Sequence, residues 1–393
     1  MKNKKFIYIL LLVLSSVLIF AGCSGKNSTS NENTTEESNA GEIKFADLKF
    51  DHSMELKYAK NFSIDYYEDG YSLITIDSND HRFLVVPEGA AAPVETEADI
   101  VVLQKPINNI YLVATQAMAF FDALDSIDAI RFSGSKADSW YIEEAKKKME
   151  SGDILYAGKY SEPDYETLLS ENCTLSIQSG MILHSPDVKE KLEELGIKVL
   201  MDRASYEKHP LGRTEWIKLY GVLFDKEEMA EELFEKQAKV LDELENKADA
   251  EKKVAFFYIN SQGSVVTRKS TDYVATMIEL AGGKYAFENL GDPESATSTV
   301  AMGMEEFYAT AKDADYIIYN STITGEVKSI EELLNKNQLL ADFKAVKDGN
   351  VWCTSQNLFQ ETMELGTMIE DIHTMLTSDD PDLDTLTYMH KLK

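Results

Sequence analysis

From Thr214 to about Lys247 the chain carries no proline and a single glycine, Gly221. Trp216, Leu219, Tyr220 and Leu223 recur at helical spacing, and Met229, Leu233, Phe234, Leu241 and Leu244 extend the stripe, the pattern of an amphipathic helix. About 34 helical residues at 1.5 Å each predict a rod of roughly 50 Å, the length of a strut that crosses between domains. Pro210-Leu211-Gly212-Arg213 marks its start. On each side of the rod, short apolar runs alternate with helical spacing. Before it come Ile110-Val113, Ala129-Phe132, Leu175-Ile177 and Lys198-Met201, separated by Met118-Leu124, Trp140-Met149 and Val188-Leu195. After it come Val254-Ile259, Tyr316-Tyr319 and Asn350-Cys353, with helices at Tyr273-Ala281, Ile330-Leu334 and Leu358-Leu376. Such alternation predicts βα units and mainly parallel sheets. The expected fold is α/β: two lobes joined by one long bridging helix, with a cleft between them and little hinge closure.

Ahead of the first lobe, Phe62, Ile64 and Tyr66 alternate with polar residues, Glu68-Asp69-Gly70 supplies a turn, and Tyr71 and Leu73 resume the alternation before Phe83-Val86. This predicts a small antiparallel sheet. The expected divisions are 1–22, 23–41, 42–97 for this β segment, 98–210 for the first lobe, 211–248 for the bridging helix and 249–393 for the second lobe.

The chain opens with Lys2, Lys4 and Lys5, an uncharged apolar run from Phe6 to Phe20, and Ala21-Gly22 before Cys23. A basic head, a short apolar core and small residues at the cleavage point make an export signal, 1–22. The apolar run is also shorter than the roughly 20 residues that span a bilayer. Ala21-Gly22-Cys23 resembles the lipobox of bacterial lipoproteins, with Phe20 where an aliphatic residue is usual. That resemblance implies lipidation at Cys23 and a soluble body on the extracellular or periplasmic face of the cell membrane. Residues 24–41 are Ser, Thr, Asn, Glu and Gly with almost nothing apolar, too little to offset ordering entropy, so 23–41 reads as an anchored flexible linker.

The formal net charge is −29, and removing the three signal lysines takes it to about −32. Such acidity argues against nucleic acid or electrostatic adhesion to anionic lipid as partners. Past Cys23 only Cys173 and Cys353 remain, far apart and in different lobes, which predicts free thiols rather than a disulfide. The six histidines form no HxH or HxxxH pair, so no bound metal and no resident cofactor are expected. No catalytic motif of the GxSxG, P-loop, HExxH or CxxC type is present, so the chain reads as a carrier and not an enzyme.

In open α/β sheets ligands sit beyond the carboxyl ends of the strands. That rule selects Thr115, Ser135, Tyr160, Gln178, Arg203 and Tyr206 in the first lobe, with Trp140 adding a flat apolar face. In the second lobe it selects Asn260, Asn320 and Gln356. Hydroxyls, amides and aromatic faces suit a bulky, partly polar ligand, and Arg203 and Lys159 are placed to meet an anionic one. The same residues are also the ordinary currency of turns. His184 and His209 are candidate axial ligands to a metal but read more readily as structural histidines.

Three segments carry a family resemblance over about 98–378. They are Ser161-Glu162-Pro163-Asp164-Tyr165-Glu166-Thr167-Leu168-Leu169 before the strand Leu175-Ile177, His209-Pro210-Leu211-Gly212-Arg213-Thr214-Glu215-Trp216 opening the bridge, and Met304-Glu305-Glu306-Phe307 running to Asp313-Ala314-Asp315-Tyr316. In these the chain resembles the substrate-binding lipoproteins of ABC importers that carry ferric siderophores, haem and vitamin B12, with Asn172-Cys173-Thr174 departing from the usual turn. The resemblance implies a monomer that takes up a small-molecule metal chelate, a ferric siderophore before a corrinoid or haem, and delivers it to a permease and its ATPase. It also implies that a glutamate on each lobe docks onto permease arginines. Glu166 fits the first, and Glu305 fits the second better than Glu306 because Phe307 follows two places on. An extracellular chelatase or hydrolase on the same two lobes is the rival class.

Overall fold

The computed structural model describes residues 43–244, 250–293, 295 and 297–393. The export signal, Cys23 and the linker lie outside the described residues. Among those described, no helix is long and apolar enough to cross a membrane.

Five strands build the amino-terminal sheet: β1 (Phe50–Ser53), β2 (Phe62–Tyr67), β3 (Ser72–Ile76), β4 (Arg82–Val86) and β5 (Ile100–Gln104), in that order. The first three pairings are antiparallel as expected, but β5 joins β4 in parallel. The sheet therefore reaches past residue 97, because Ile100 and Leu103 complete its two apolar faces. Period-two alternation sends Ile64, Ile74 and Phe83 into one core and Leu73, Leu84 and Val86 into another, as the pleat requires.

The first lobe follows with β6 (Ile110–Leu112), β7 (Ile130–Ser133), β8 (Leu155–Tyr156), a short hairpin of β9 (Gly158–Lys159) and β10 (Glu162–Pro163), then β11 (Leu175–Ser179) and β12 (Lys198–Asp202). Its sheet order is β12-β11-β6-β7-β8, with every pairing parallel. Helices α1 (Met118–Ala123), α2 (Glu143–Ser151), α3 (Tyr165–Ser170) and α4 (Pro186–Glu194) connect the strands. One face packs on α1 and the amino-terminal sheet, and the other buries Leu168 and Leu192 from α3 and α4. A sheet covered on both sides explains why its strands read as continuous apolar runs.

The bridge is not one rod. It consists of α5 (Pro210–Glu215), α6 (Ile217–Phe224) and α7 (Glu227–Leu244). Asp225 stands in the left-handed region at φ 55 and ψ 42, which stops α6 and turns the chain so that Gly221 faces Ala230. Helix α7, about 27 Å long at 1.5 Å per residue, is the element that spans. Its Ala230, Phe234 and Ala238 lie in the first-lobe core, and its Leu244 lies in the second-lobe core.

The second lobe contains β13 (Lys253–Ile259), β14 (Val265–Arg268), β15 (Lys284–Tyr285), β16 (Thr299–Met302), β17 (Tyr316–Tyr319), β18 (Val351–Thr354) and β19 (Met389–Lys391). The order is β16-β14-β13-β17-β18-β19, with β15 also on β13. β13, β15, β17 and β18 pair in parallel, while β14, β16 and β19 join by antiparallel pairings. Helices α8 (Tyr273–Leu280), α9 (Met304–Ala311), α10 (Ser321–Thr324), α11 (Ile330–Lys336), α12 (Lys344–Lys347) and α13 (Leu365–Thr377) complete it. Cys173 and Cys353 are both free. Burial pushes their thiols up, to about 12 and about 11.

Candidate functional site

Where β12 ends, Asp202 hands the chain to Arg203, and the following turn carries Ser205, Tyr206 and Glu207 before α5 begins. Across the seam the second lobe offers Lys269, Thr271, Asp272 and Tyr273 at the start of α8, and Pro293, Ser295, Thr297 and Ser298 ahead of β16. Together these segments enclose a cavity of ≈ 430 Å³, within the size range of small-molecule sites.

Geometry within the cavity is dominated by guanidinium and aromatic planes. The Arg203 guanidinium lies 4.0 Å from the Tyr206 ring centre, and its Nε is buried with no hydrogen-bond partner. Gly180, just past β11, makes room for this pair: a Cβ there would stand 2.1 Å from the Tyr206 hydroxyl. Arg213 of α5 stacks 3.6 Å from the centre of the Tyr273 ring, joining the lobes at the cavity floor. A desolvated contact of that kind contributes about 2 kcal/mol. Arg213 also donates from Nε to the Glu207 carbonyl at 3.1 Å and from Nη2 to the Ser205 carbonyl at 2.5 Å. Burial lowers its pKa, opposed by the facing Tyr273 and Asp272. For neighbouring Arg268 burial also pulls downward, but Tyr273 and Asp272 outweigh it and the net shift is upward. Lys269 donates to the Asp292 and Ser295 carbonyls at 2.8 Å each. Asp272 caps α8 by accepting from the Val274 N–H at 3.0 Å, so its carboxylate is already engaged.

A second seam contact lies beside the cavity. Tyr141 donates to Gln356 Oε1 at 3.2 Å, and its backbone N–H donates to Gln360 Oε1 at 2.8 Å. The Tyr141 and Phe359 rings meet edge to face with centres 6.0 Å apart. Leu183 lines the cavity while 54% exposed, an apolar edge next to the cations.

Of the residues expected from sequence, Arg203 and Tyr206 line the cavity, and Gln356 reaches the seam through Tyr141. Thr115 and Ser135 sit half-buried in the loops after β6 and β7, and Tyr160 lies in the turn between β9 and β10. Four others point inward or into their own turns. Trp140 is 3% exposed and donates to Ser133 Oγ at 3.2 Å, so it is a core residue and presents no face to a ligand. Gln178 is fully buried in β11, donating to Ser176 Oγ at 2.8 Å. Asn320 is 2% exposed and caps α10 through the Thr322 N–H. Asn260 accepts from the Gln262 and Ser264 N–H groups, closing its own turn. Lys159 pairs with Glu162 at 3.1 Å and is absent from the cavity wall. His209 Nδ1 accepts from the Leu211 N–H at 3.2 Å, and its ring stacks 4.3 Å from Tyr58; burial holds its pKa below the ordinary value. His184 is exposed. Among the described residues no group of three or more His, Cys, Asp or Glu is placed to hold a metal.

Arg213, Lys269 and Tyr273 were missed from sequence. The run Arg268-Lys269-Ser270-Thr271-Asp272-Tyr273 is a basic pair in a hydroxyl-rich stretch opening a helix, and that signal was available. Glu166 stands exposed in the first turn of α3, which Asp164 caps, and Glu305 and Glu306 stand exposed in the first turn of α9.

Two α/β lobes, a spanning helix and a ligand-sized cavity at the seam define a solute-binding protein. The chain belongs to the periplasmic binding protein family, whose sequence model matches residues 133–358, more than half of the 393 residues. Two relatives in Methanocaldococcus jannaschii run nearly its full length. The uncharacterized lipoprotein MJ0878 is 24% identical over 95% of this chain and 93% of its own. The uncharacterized lipoprotein MJ0872 is 25% identical over 99% of this chain and 100% of its own. Among solved structures, the petrobactin-binding protein YclQ of Bacillus subtilis superposes with a TM-score of 0.56 at 16% identity, covering 70% of this chain and 94% of that one. The haem-binding protein HutB of Vibrio cholerae gives 0.55 at 17% identity, covering 69% and 99%. These likenesses establish the fold.

Proposed function

We propose that this chain is the extracytoplasmic substrate-binding component of an ABC importer, anchored through Cys23, that captures a ferric siderophore and passes it to a permease. The carrying observation is the seam cavity, where Arg203, Arg213 and Lys269 gather beside Tyr206 and Tyr273 in a chain of formal charge −29. Cations concentrated against the molecule's own sign select a polyanionic ligand, and aromatic faces suit catecholate rings. The petrobactin-binding relative in fold and the lipoprotein relatives in sequence support the reading. A corrinoid or haem is the second choice: His209 Nδ1 already accepts from a helix backbone N–H, and His184 does not line the cavity.

The test is calorimetric titration of the purified soluble chain with a ferric tricatecholate, a ferric trihydroxamate, haemin and cyanocobalamin. One-to-one binding to the tricatecholate, with the chelate recovered intact, is the expected result. Chelate breakdown would favour the rival enzyme class, and binding confined to haemin or cyanocobalamin would reassign the ligand.

A further inference from the structure

The family match begins at residue 133, so the amino-terminal sheet lies outside it, yet one of its loops is built into the seam. Glu215 is fully buried, and its carboxylate accepts the backbone N–H groups of Lys57, Tyr58 and Ala59, each at 2.8 Å. Glu207, 3% exposed, accepts those of Lys60 at 2.9 Å and Asn61 at 2.8 Å, together with the Trp216 indole N–H at 3.1 Å. Five successive N–H groups thus converge on two carboxylates belonging to the segment that carries Tyr206 and Arg213. Buried carboxylates need such donors, so the 57–61 loop is fixed there as firmly as the cavity wall itself.

The consequence is a longer trough. Asn61 lines the seam cavity, while Lys57, Tyr58 and Lys60 line an adjoining hollow of ≈ 460 Å³ with Lys208 and His209. The two spaces share Asn61, Tyr206, Glu207 and Lys208. Among the described residues their walls carry Lys57, Lys60, Arg203, Lys208, Arg213 and Lys269 against Glu207 and Asp272, and both acids are occupied by backbone donors. Lys57 pairs with Glu235, but the Lys60 and Lys208 ammonium groups make no ion pair among the described residues. Unspent positive charge beside an aromatic wall suits an anionic group.

Resting on the reading of the seam as the ligand site, we infer that the Lys57–Asn61 loop is a specificity element. The Lys60 ammonium and the Asn61 carboxamide contact an anionic arm of the ligand that passes Tyr206 from the seam. The amino-terminal sheet is then a third wall of the binding site and not a packing accessory.

Ferric tricatecholate is the probe. Its affinity is measured for the wild type, Lys60→Ala, Asn61→Ala, Arg203→Ala and the surface control Lys347→Ala on α12, which lines neither space, and acetylation of Lys60 is followed by mass spectrometry with and without the probe. Expected are losses of roughly tenfold or more for Lys60→Ala and Asn61→Ala, an unchanged control, and protection of Lys60 in the complex. Wild-type affinity in both loop variants while Arg203→Ala weakens binding overturns the inference and leaves the carrier reading standing. So does loss of affinity with Lys60 still fully reactive. Absence of binding to the wild type overturns the ferric-chelate reading and this inference with it.

Discussion

Asp202 shows how one residue fixes the cavity wall. It ends β12 immediately before Arg203, fully buried, and its carboxylate accepts from the Tyr220 hydroxyl at 2.6 Å, Gln116 Nε2 at 2.8 Å and the Ala204 N–H at 3.0 Å. Burial raises its pKa, against the lowering pull of those donors and of Arg213. A raised folded pKa means that the native state holds the proton more tightly than the unfolded chain does. Its contribution to stability is therefore largest at low pH, is lost as pH rises from the ordinary aspartate value to the raised one, and is flat above that. Asp202→Ala strands three donors and should cost about 3 kcal/mol. Asp202→Asn keeps the acceptor for Ala204 and Gln116 and turns an amide donor toward the Tyr220 oxygen. It should cost under about 1 kcal/mol at pH 4, near the ordinary aspartate value of 3.8, and compare more favourably still at pH 8. Urea unfolding at both pH values checks this; equal losses for Ala and Asn would show that shape, not donor satisfaction, governs the site.

At the scale of elements the bridge is the instructive case. Gly221 is the one position where α6 and α7 can close together: a Cβ there would lie 2.8 Å from the Ala230 Cβ and 3.2 Å from the Lys226 carbonyl oxygen. Gly221→Ala should therefore lose about 1–3 kcal/mol despite alanine's better helix propensity. A thermal melt that stayed at or above the wild-type midpoint would mean the two helices separate without cost. The sequence carried a warning that the single-rod reading passed over. In Phe224-Asp225-Lys226-Glu227-Glu228 an aspartate suited to a left-handed stop precedes acids suited to a new first turn. Met229, counted in the apolar stripe, is 36% exposed, while Ala230 takes the buried place. Strands with strong local pattern were legible to within a residue or so, Tyr316–Tyr319 among them, because burial on both faces writes itself into continuous apolar runs. The antiparallel strands β14 and β16 were not, since strands of four residues gain their identity from long-range pairing. The site divided in the same way. Arg203 and Tyr206 followed from strand topology alone, whereas Arg213 meets Tyr273 only because the lobes dock.

For the whole molecule, the proposed delivery requires that docking residues and cavity be separate. Glu166 on α3 and Glu305 on α9 are exposed near their helix starts, and neither lines the seam cavity. In the proposed complex each carboxylate receives a permease guanidinium. Each such pair is worth about 1.5–3 kcal/mol once water is excluded, so losing one weakens docking by about 10- to 100-fold and losing both nearly abolishes it. The expected phenotype of Glu166→Ala with Glu305→Ala is uptake at background with chelate affinity unchanged, and each single variant should fall between. Uptake into cells and calorimetry on the purified double variant measure the two quantities apart. Lost affinity would place these glutamates in the ligand site, and undiminished uptake would remove them from the docking surface. Glu305→Ala set against Glu306→Ala tests the second-lobe assignment: the buried Phe307 anchors the turn on which both stand, and under the proposed docking the Glu305 variant loses more uptake.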